Sequence, residues 1–187
     1  MAIRLAEVFA KVINLLKKYK IPYLVIGGIA AGVLGEPRTT GDIDIDIKIN
    51  KKQIEIFLKY TEKEGFTFNK IKVMQKIKET GTFNIWFTDY HIDFLICSTK
   101  FEENALKRGG KIKIFGVRAQ FPSPEDLILF KVIPSRPIDK IDIDNIAKRF
   151  QGKLDEKYLL HWAMKLSDDA EDTRIYRDVK KLLKEEV

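Results

Sequence analysis

Apolar and polar positions follow two different periods along the first fifty residues. Residues 4–19 repeat leucine, valine and phenylalanine at three- and four-residue spacing, which predicts an amphipathic helix that ends before Pro22. Residues 23–26, YLVI, are a short apolar run typical of a buried strand, and Gly27 and Gly28 then open a helix of small residues. The chain is therefore predicted to begin with a helix, a strand and a second helix.

Strict alternation replaces the helical period at residues 42–49, DIDIDIKI, and predicts a strand whose isoleucines share one face. Residues 51–64 return to helical spacing. Beyond them, we expect short strands at 66–69, 82–87 and 91–97. Because a tight turn, TDY, lies between the last two, these strands are predicted to pair as an antiparallel hairpin.

The second part of the sequence changes to a helical pattern. Residues 102–108 predict a charged helix, and residues 111–121 alternate as strands do. From Ser123 onward we expect three or four helices, the first with a serine cap, a proline and acids in its first turn. We therefore predict an α/β sheet domain over residues 1–122 and a helical C-terminal part, residues 123–187, packed on it.

Composition limits the class of protein. The longest nearly apolar run, residues 23–35, is too short to span a bilayer, and the amphipathic start lacks the uninterrupted apolar stretch of a signal peptide. The single cysteine, Cys97, excludes an internal disulfide framework and a multi-cysteine zinc site. We expect a cytoplasmic protein with no membrane association.

The net charge of +7 does not by itself identify the class of partner. It is compatible with a polyanionic partner such as nucleic acid or nucleotide phosphates. A lysine-, glutamate- and isoleucine-rich composition is equally typical of a thermophile. Because the lysines are spread along the chain and interleaved with glutamates, both interpretations stay open.

Three aspartates on one strand pose the main chemical question. Asp42, Asp44 and Asp46 are two residues apart, so they share a face of the predicted strand. Two such charges repel by roughly 3 kcal/mol at 6 Å and an effective dielectric constant near 20. Two interpretations are open: the face is simply exposed to water, or it holds a divalent cation between carboxylates, as two-metal phosphoryl-transfer sites do.

The residues before the aspartates favour the metal site. Gly27 and Gly28 follow a strand and open a helix, which lets a phosphate approach backbone N–H groups, although a plain tight turn would look the same. Arg38 and Thr40 then precede a D-x-D sequence. In order and spacing this stretch resembles the DNA polymerase β-type nucleotidyltransferase superfamily. It is most similar to abortive-infection type nucleotidyltransferase toxins and related nucleotidyltransferase-like proteins.

The resemblance, which covers roughly residues 21–146, implies the nucleotidyltransferase fold, an α+β fold with a small mixed sheet flanked by helices. It assigns Asp42 and Asp44 as the metal pair and leaves Asp46 outside the site. The nucleotide would be bound by Gly27, Gly28, Arg38, Thr40 and Lys131.

The family also uses a third carboxylate from a neighbouring strand. Asp93 stands among apolar residues of a predicted strand, where an unpaired acid is costly. The resemblance makes Asp93 a shared metal ligand and the base for the attacking hydroxyl; a strand-end acid at a polar edge is the alternative. Asp89, in the preceding turn, is the weaker candidate.

A later segment also resembles the family. Lys131, Arg136, Asp139 and Asp142 fall on its positions, and Lys131 would contact nucleotide phosphates. Arg136 and Asp139 could equally form an ordering ion pair. Asp142 and Asp144 are a second D-x-D, but on a helix residues two apart do not share a face, so we do not expect a metal site there.

Other reactive or aromatic residues have simpler explanations. His91 could be a general base, but it lies two positions before Asp93 on the same predicted strand and could equally only flank the metal site. His161 is expected to be a half-buried structural histidine and Cys97 a buried small hydrophobe. The aromatic residues that could stack a base are more typical of a sheet core: Phe83, Trp86, Phe87 and Tyr90.

The resemblance implies an enzyme that binds an NTP with Mg²⁺ or Mn²⁺ and transfers the nucleotidyl group to an acceptor hydroxyl, with release of pyrophosphate. The acceptor stays open between tRNA or another polyanion, a protein and a small molecule. The alternative is a non-catalytic nucleotide-binding or toxin–antitoxin interaction module on the same fold. A basic RNA-binding protein without a nucleotide site is a third hypothesis, and its affinity would fall steeply with salt.

Overall fold

The structure, a computed structural model, describes residues 4–185. These residues divide into two compact units. The first is formed by the described residues of Met1–Ile29 and by Thr39–Phe121, and the second by Ala30–Arg38 and the described residues of Pro122–Val187. The sequence predicted a division after residue 122 and did not predict that residues 30–38 group with the C-terminal helices. The predicted outer limits, residues 1 and 187, lie outside the described residues.

The helices and strands of the first unit, in chain order, are α1 (Leu5–Lys18), β1 (Tyr23–Ile26), the start of α2 (Gly27–Leu34), β2 (Ile43–Ile47), α3 (Lys51–Lys63), α4 (Lys70–Thr80), β3 (Thr82–Phe87), β4 (Tyr90–Ile96), α5 (Lys100–Arg108), β5 (Gly110–Ile114) and β6 (Val117–Phe121). Those of the second unit after α2 are α6 (Pro124–Val132), α7 (Pro137–Arg149), α8 (Glu156–Asp169) and α9 (Thr173–Glu185). The predicted succession of elements is confirmed in both units, with one exception.

That exception concerns the segment before β3. Residues 66–69 were predicted to be a strand, but only Thr67 makes an isolated bridge, to Trp86. Residues 70–80, for which no element was predicted, form α4. Asn69 caps this helix by accepting a hydrogen bond from the backbone N–H of Lys72, and Gly81 ends it in a left-handed conformation. Such cap residues are visible in the sequence, but only one α4 residue, Val73, is buried, so the apolar period is weak.

Four strands form a mixed sheet in the order β1-β2-β4-β3. Strand β2 is antiparallel to β1 and parallel to β4, and β4 pairs with β3 as the predicted antiparallel hairpin. Strands β5 and β6 form a separate hairpin beside β1. The architecture is the predicted small mixed sheet flanked by helices.

The two faces of the sheet differ in chemistry because side chains alternate along each strand. One face carries the β2 isoleucines, which are fully buried, and a cluster of Phe57, Phe83 and Phe94 rings with centroids 5.0–6.1 Å apart. The other face carries the β2 aspartates. Burial of the first face fixes the register, and so the acids can only point to the second.

The second unit has its own apolar core, to which Leu127, Ile146 and Leu159 contribute fully buried side chains. Arg149 ties α7 to the end of α2, because its Nη1 donates to the carbonyl oxygens of Val33 (3.1 Å) and Gly35 (2.8 Å). These carbonyls would otherwise lack partners at the helix end. In the part of the chain that the structure describes, no helix has the length and apolar character needed to cross a membrane.

Candidate active site

Two carboxylates from neighbouring strands lie side by side in the first unit. Asp44 of β2 is the register partner of Asp93 of β4. Neighbouring strands are about 4.8 Å apart, and register partners in a parallel pair project from the same face. The structure thus brings together two of the three predicted acids, although they are 49 positions apart in the sequence.

The glycine pair lies against this acid pair. Gly27 has φ +65°, and a Cβ atom at this position would lie 1.9 Å from Asp44 Oδ2. Glycine suits this position for two reasons: it adopts the positive φ without strain, and it has no Cβ atom that would collide with Asp44. Gly28 follows and is buried. Because the first N–H groups of a helix have no partner within it, the start of α2 offers donors beside the Asp44 carboxylate.

Asp44 and Asp93 line a cavity of about 290 Å³. The other residues that line it include Ile26, Lys76, Thr82 and Leu95. Lys76 comes from α4 and brings a cation to the cavity. Sequence reasoning missed this residue, because the helix that carries it was not predicted and lysines on a helix give no signal of their own.

Asp42 lies just before β2, and its side chain is 58% exposed. His91 Nε2 lies 3.5 Å from Asp42 Oδ1 and 3.1 Å from Asp93 Oδ2, so it sits beside two predicted metal ligands, as expected. Thr40 Oγ1 accepts a hydrogen bond from the Asp42 backbone N–H at 3.4 Å. Within residues 4–185, no group of three or more His, Cys, Asp or Glu side chains is arranged to hold a metal ion.

Asp46 shares the strand face of Asp44 but not its environment. It is fully buried, and neither carboxylate oxygen has a hydrogen-bond partner in the described structure. Burial, and then the charge of Glu102, raises the pKa of Asp46 to about 8. Burial and the neighbouring acids also raise the pKa of Cys97 to about 12, so its thiol is not a nucleophile at neutral pH.

Lys131 takes part in a buried ionic network of the second unit. It is 3% exposed, and its Nζ lies 3.1 Å from Asp139 Oδ1 and 2.7 Å from Asp142 Oδ2. Arg38 binds both oxygens of Asp142, at 2.9 and 3.1 Å, and Arg136 Nε binds Asp139 Oδ2 at 2.7 Å. Burial opposes ionisation of Asp139, but the hydrogen bonds from Arg136 and Lys131 outweigh it and lower its pKa.

The remaining sequence predictions have mixed outcomes. Asp142 is buried whereas Asp144 is exposed, so this helical D-x-D does not share a face, as predicted. Phe83 is part of the core, as predicted, but the prediction for Trp86 was wrong. Trp86 is 42% exposed, and its ring centroid lies 5.2 Å from that of His91. The sequence could not show this, because both faces of β3 carry large side chains.

Comparison with known proteins assigns the family. Residues 3–186 match the model of a family described as "Nucleotidyltransferase of unknown function (DUF6036)". The chain belongs to this nucleotidyltransferase family. The match extends beyond residues 21–146, where the sequence resemblance lay, and agrees with it at the level of nucleotidyltransferases. No curated protein matches the sequence.

Two solved structures share the fold of this nucleotidyltransferase family member. Antibiotic-resistance factor ANT(2'')-Ia has a TM-score of 0.61 at 15% identity, covering 92% of this chain and 97% of its own. Lincosamide antibiotic adenylyltransferase LnuA, solved with lincomycin bound, has a TM-score of 0.52 at 17% identity, covering 78% of this chain and 98% of its own. At these identities the likeness concerns the fold, and it confirms the predicted nucleotidyltransferase fold.

Proposed function

We propose that this protein transfers an NMP group from an NTP to an acceptor hydroxyl in a Mg²⁺-dependent reaction. The observation that carries the proposal is the pairing of Asp44 with Asp93 on adjacent strands, with Gly27 packed against the Asp44 carboxylate. Membership of a nucleotidyltransferase family supports the reaction class.

The donor set suits Mg²⁺. This ion prefers oxygen ligands and is commonly bound by one or two carboxylates together with substrate phosphates, so it does not need a complete cage of protein ligands. Asp44 and Asp93 would hold it, and Asp42, two residues before Asp44 and just ahead of β2, would join them. The Asp44 carboxylate occupies the space that a side chain at Gly27 would need, so the glycine fixes where this ligand lies. When bound, the ion would withdraw charge from the phosphate oxygens.

The residues of the first unit have distinct roles in the proposed reaction. The acceptor hydroxyl loses its proton to a carboxylate oxygen of Asp93, and its oxygen forms a bond to the α-phosphorus of the NTP. The bond between the α-phosphorus and the oxygen that bridges it to the β-phosphorus breaks, and pyrophosphate leaves with the electron pair. His91, 3.1 Å from Asp93, positions this carboxylate. Lys76, in the same cavity, stabilises negative charge on the phosphates.

The nucleotide itself would be bound by the backbone N–H groups of Gly27 and Gly28 at the start of α2. Thr40 would add a hydroxyl near Asp42. Direct phosphate contacts by Arg38 and Lys131, which the sequence resemblance implies, remain predictions. Both side chains are paired with Asp142 in the second unit. The alternative to nucleotide binding is therefore that Arg38 and Lys131 stabilise the second unit.

The acceptor is proposed only as a hydroxyl-bearing molecule. One structural neighbour is an antibiotic adenylyltransferase with lincomycin bound, which supports a small molecule as one class to include. A tRNA or another polyanion, and a protein, are the other classes.

A label-transfer assay tests the proposal. Purified protein is incubated with each α-labelled NTP and Mg²⁺ in a cell extract, and the product is divided into nuclease-sensitive, protease-sensitive and small-molecule fractions. The wild type should label one fraction and should lose this activity in EDTA. Asp44→Asn and Asp93→Asn should reduce labelling to background.

Asp89→Asn is the matched control, because Asp89 is an exposed acid in the turn before β4 and does not line the cavity. It should retain full labelling. No label from any NTP, together with Mg²⁺-dependent nucleotide binding that Asp44→Asn abolishes, would favour the non-catalytic nucleotide-binding module instead.

A further inference from the structure

A second cavity, of about 500 Å³, lies in the first unit at the other end of the sheet from the acid pair. It is formed by the end of α1, the start of β1, the residue after β2, helix α5 and the β5–β6 hairpin. Tyr23, in its lining, pairs with Ile47, whereas Ile26 pairs with Asp44. Tyr23 and Ile26 are three positions apart along β1, which corresponds to about 10 Å.

The lining of this cavity is strongly basic. Its five cationic side chains are Lys17, Lys48, Lys107, Lys111 and Arg118, and its single acid is Glu103. Lys48 Nζ binds Glu103 Oε1 at 2.7 Å. In the described part of the chain, the other four cations form no ion pair with a carboxylate. Glu103 offsets part of this positive charge, and an anion in the cavity would relieve the repulsion that remains among the cations.

The rest of the lining is apolar. Ile21, Pro22 and Leu106 contribute to it, together with the largely buried ring of Tyr23. A cavity of this volume is within the range of small-ligand sites, roughly 300–1,000 Å³. Because it is concave and combines cations with apolar surface, its chemistry suits a ligand that carries both phosphates and a ring system.

We propose that this basic cavity binds a phosphorylated small molecule of nucleoside polyphosphate size, as a second site separate from the acid pair. The site does not depend on the proposed transfer reaction. It needs neither a divalent cation nor the aspartates, because its own lining supplies the positive charge. A ligand here contacts the start of β1, the strand that leads to Gly27, and Lys48, the residue that follows β2, the strand that carries Asp44.

Binding of ATP in EDTA tests the proposal, since removal of divalent cations leaves the acid pair repelling phosphates. Isothermal titration calorimetry of the full-length wild type should show one metal-independent site that weakens as NaCl is raised. ATP should bind at least fivefold more tightly than tripolyphosphate, and adenosine should not bind detectably. Equal affinities for ATP and tripolyphosphate would overturn the ring-binding part of the proposal.

Charge-matched variants locate the site. Lys107→Ala/Lys111→Ala should weaken metal-free ATP binding at least tenfold. Lys52→Ala/Lys59→Ala, which removes the same charge from exposed positions of α3, should leave it unchanged, as should Asp44→Asn. Arg118→Gln, a single variant of the lining, should also weaken metal-free ATP binding. It replaces the double variant in this test if the double variant does not fold.

Three results would overturn the proposal. The first is the absence of ATP binding in EDTA. The second is an equal loss in the α3 double variant, which would indicate binding by overall charge. The third is a change of affinity in Asp44→Asn, which would place the nucleotide at the acid pair. Failure of the label-transfer assay alone would leave this site standing, so the two proposals fail separately.

Discussion

Gly27 and Asp44 lie in such close contact that a Cβ atom on Gly27 would lie 1.9 Å from the Asp44 Oδ2 atom. The glycine therefore belongs to the geometry of the carboxylate. It lets the α2 backbone approach the acid, and its φ of +65° is one that other residues rarely adopt.

We expect Gly27→Ala to displace the Asp44 side chain and to lower transfer activity roughly a hundredfold, the scale of loss for a misplacement near 1 Å. The strained backbone should cost about 1–3 kcal/mol of unfolding free energy. Activity assays measure the loss of transfer, and urea unfolding measures the loss of unfolding free energy. Gly110→Ala is the control, since a Cβ there has no neighbour within 4 Å. A fully active Gly27→Ala protein would contradict the proposed site.

Lys76→Ala should lower kcat/KM for the NTP roughly tenfold, because it removes the α4 cation from the cavity of the acid pair. Lys78→Ala removes an exposed charge from the same helix outside that cavity and should have no effect. Steady-state kinetics with both variants measure this. Equal kinetics for the two would exclude a role of Lys76 at the phosphates.

Lys131→Met should destabilise the protein by about 3–5 kcal/mol, the usual cost of removing one partner of a buried ion pair. Thermal or urea unfolding measures the loss, and Lys140→Met, at an exposed position of α7, should be close to wild type. An unchanged stability with a raised KM for the NTP would instead support the phosphate contact that the sequence resemblance implies.

The stability of the protein should depend on pH through Asp46. Its folded-state pKa of about 8 lies above the ordinary value of 3.8, so the folded state holds a proton that the unfolded chain releases. This contribution to stability is complete below about pH 4 and is lost as the pH rises to about 8, a change of at most about 6 kcal/mol. The Asp46→Asn variant has no ionisable group at this position, so this pH dependence is absent from it.

The difference in unfolding free energy between Asp46→Asn and the wild type should therefore grow in favour of the variant between pH 4 and 8 and stay constant above. Urea unfolding at several pH values measures it. Asp89→Asn, an exposed position, should show a flat difference. A flat difference for Asp46→Asn would contradict the raised pKa.

The sequence by itself determined the elements whose periodicity is strong. The isoleucines of β2 alternate with aspartates, and one-sided burial of those isoleucines leaves the acids no other face. The glycine pair and the D-x-D sequence are local in the chain, so the resemblance to nucleotidyltransferases could be recognised there; the nucleotide and metal roles that it implies remain predictions. Helix α4 was missed because its single buried residue, Val73, gives almost no apolar period.

The family resemblance already implied that Asp93 joins Asp44, and beyond this only the tertiary structure decided which charged residues meet. Strand pairing brings Asp93 to Asp44, and a cap-defined helix brings Lys76 to the same cavity. The alternating pattern by itself does not distinguish Asp44 from Asp46, yet Asp44 lines a cavity and Asp46 is buried with neither carboxylate oxygen hydrogen-bonded in the described structure. The physical reason is that a strand fixes only the side to which an acid points, whereas the packing of other elements over that side fixes its access to solvent and its partners.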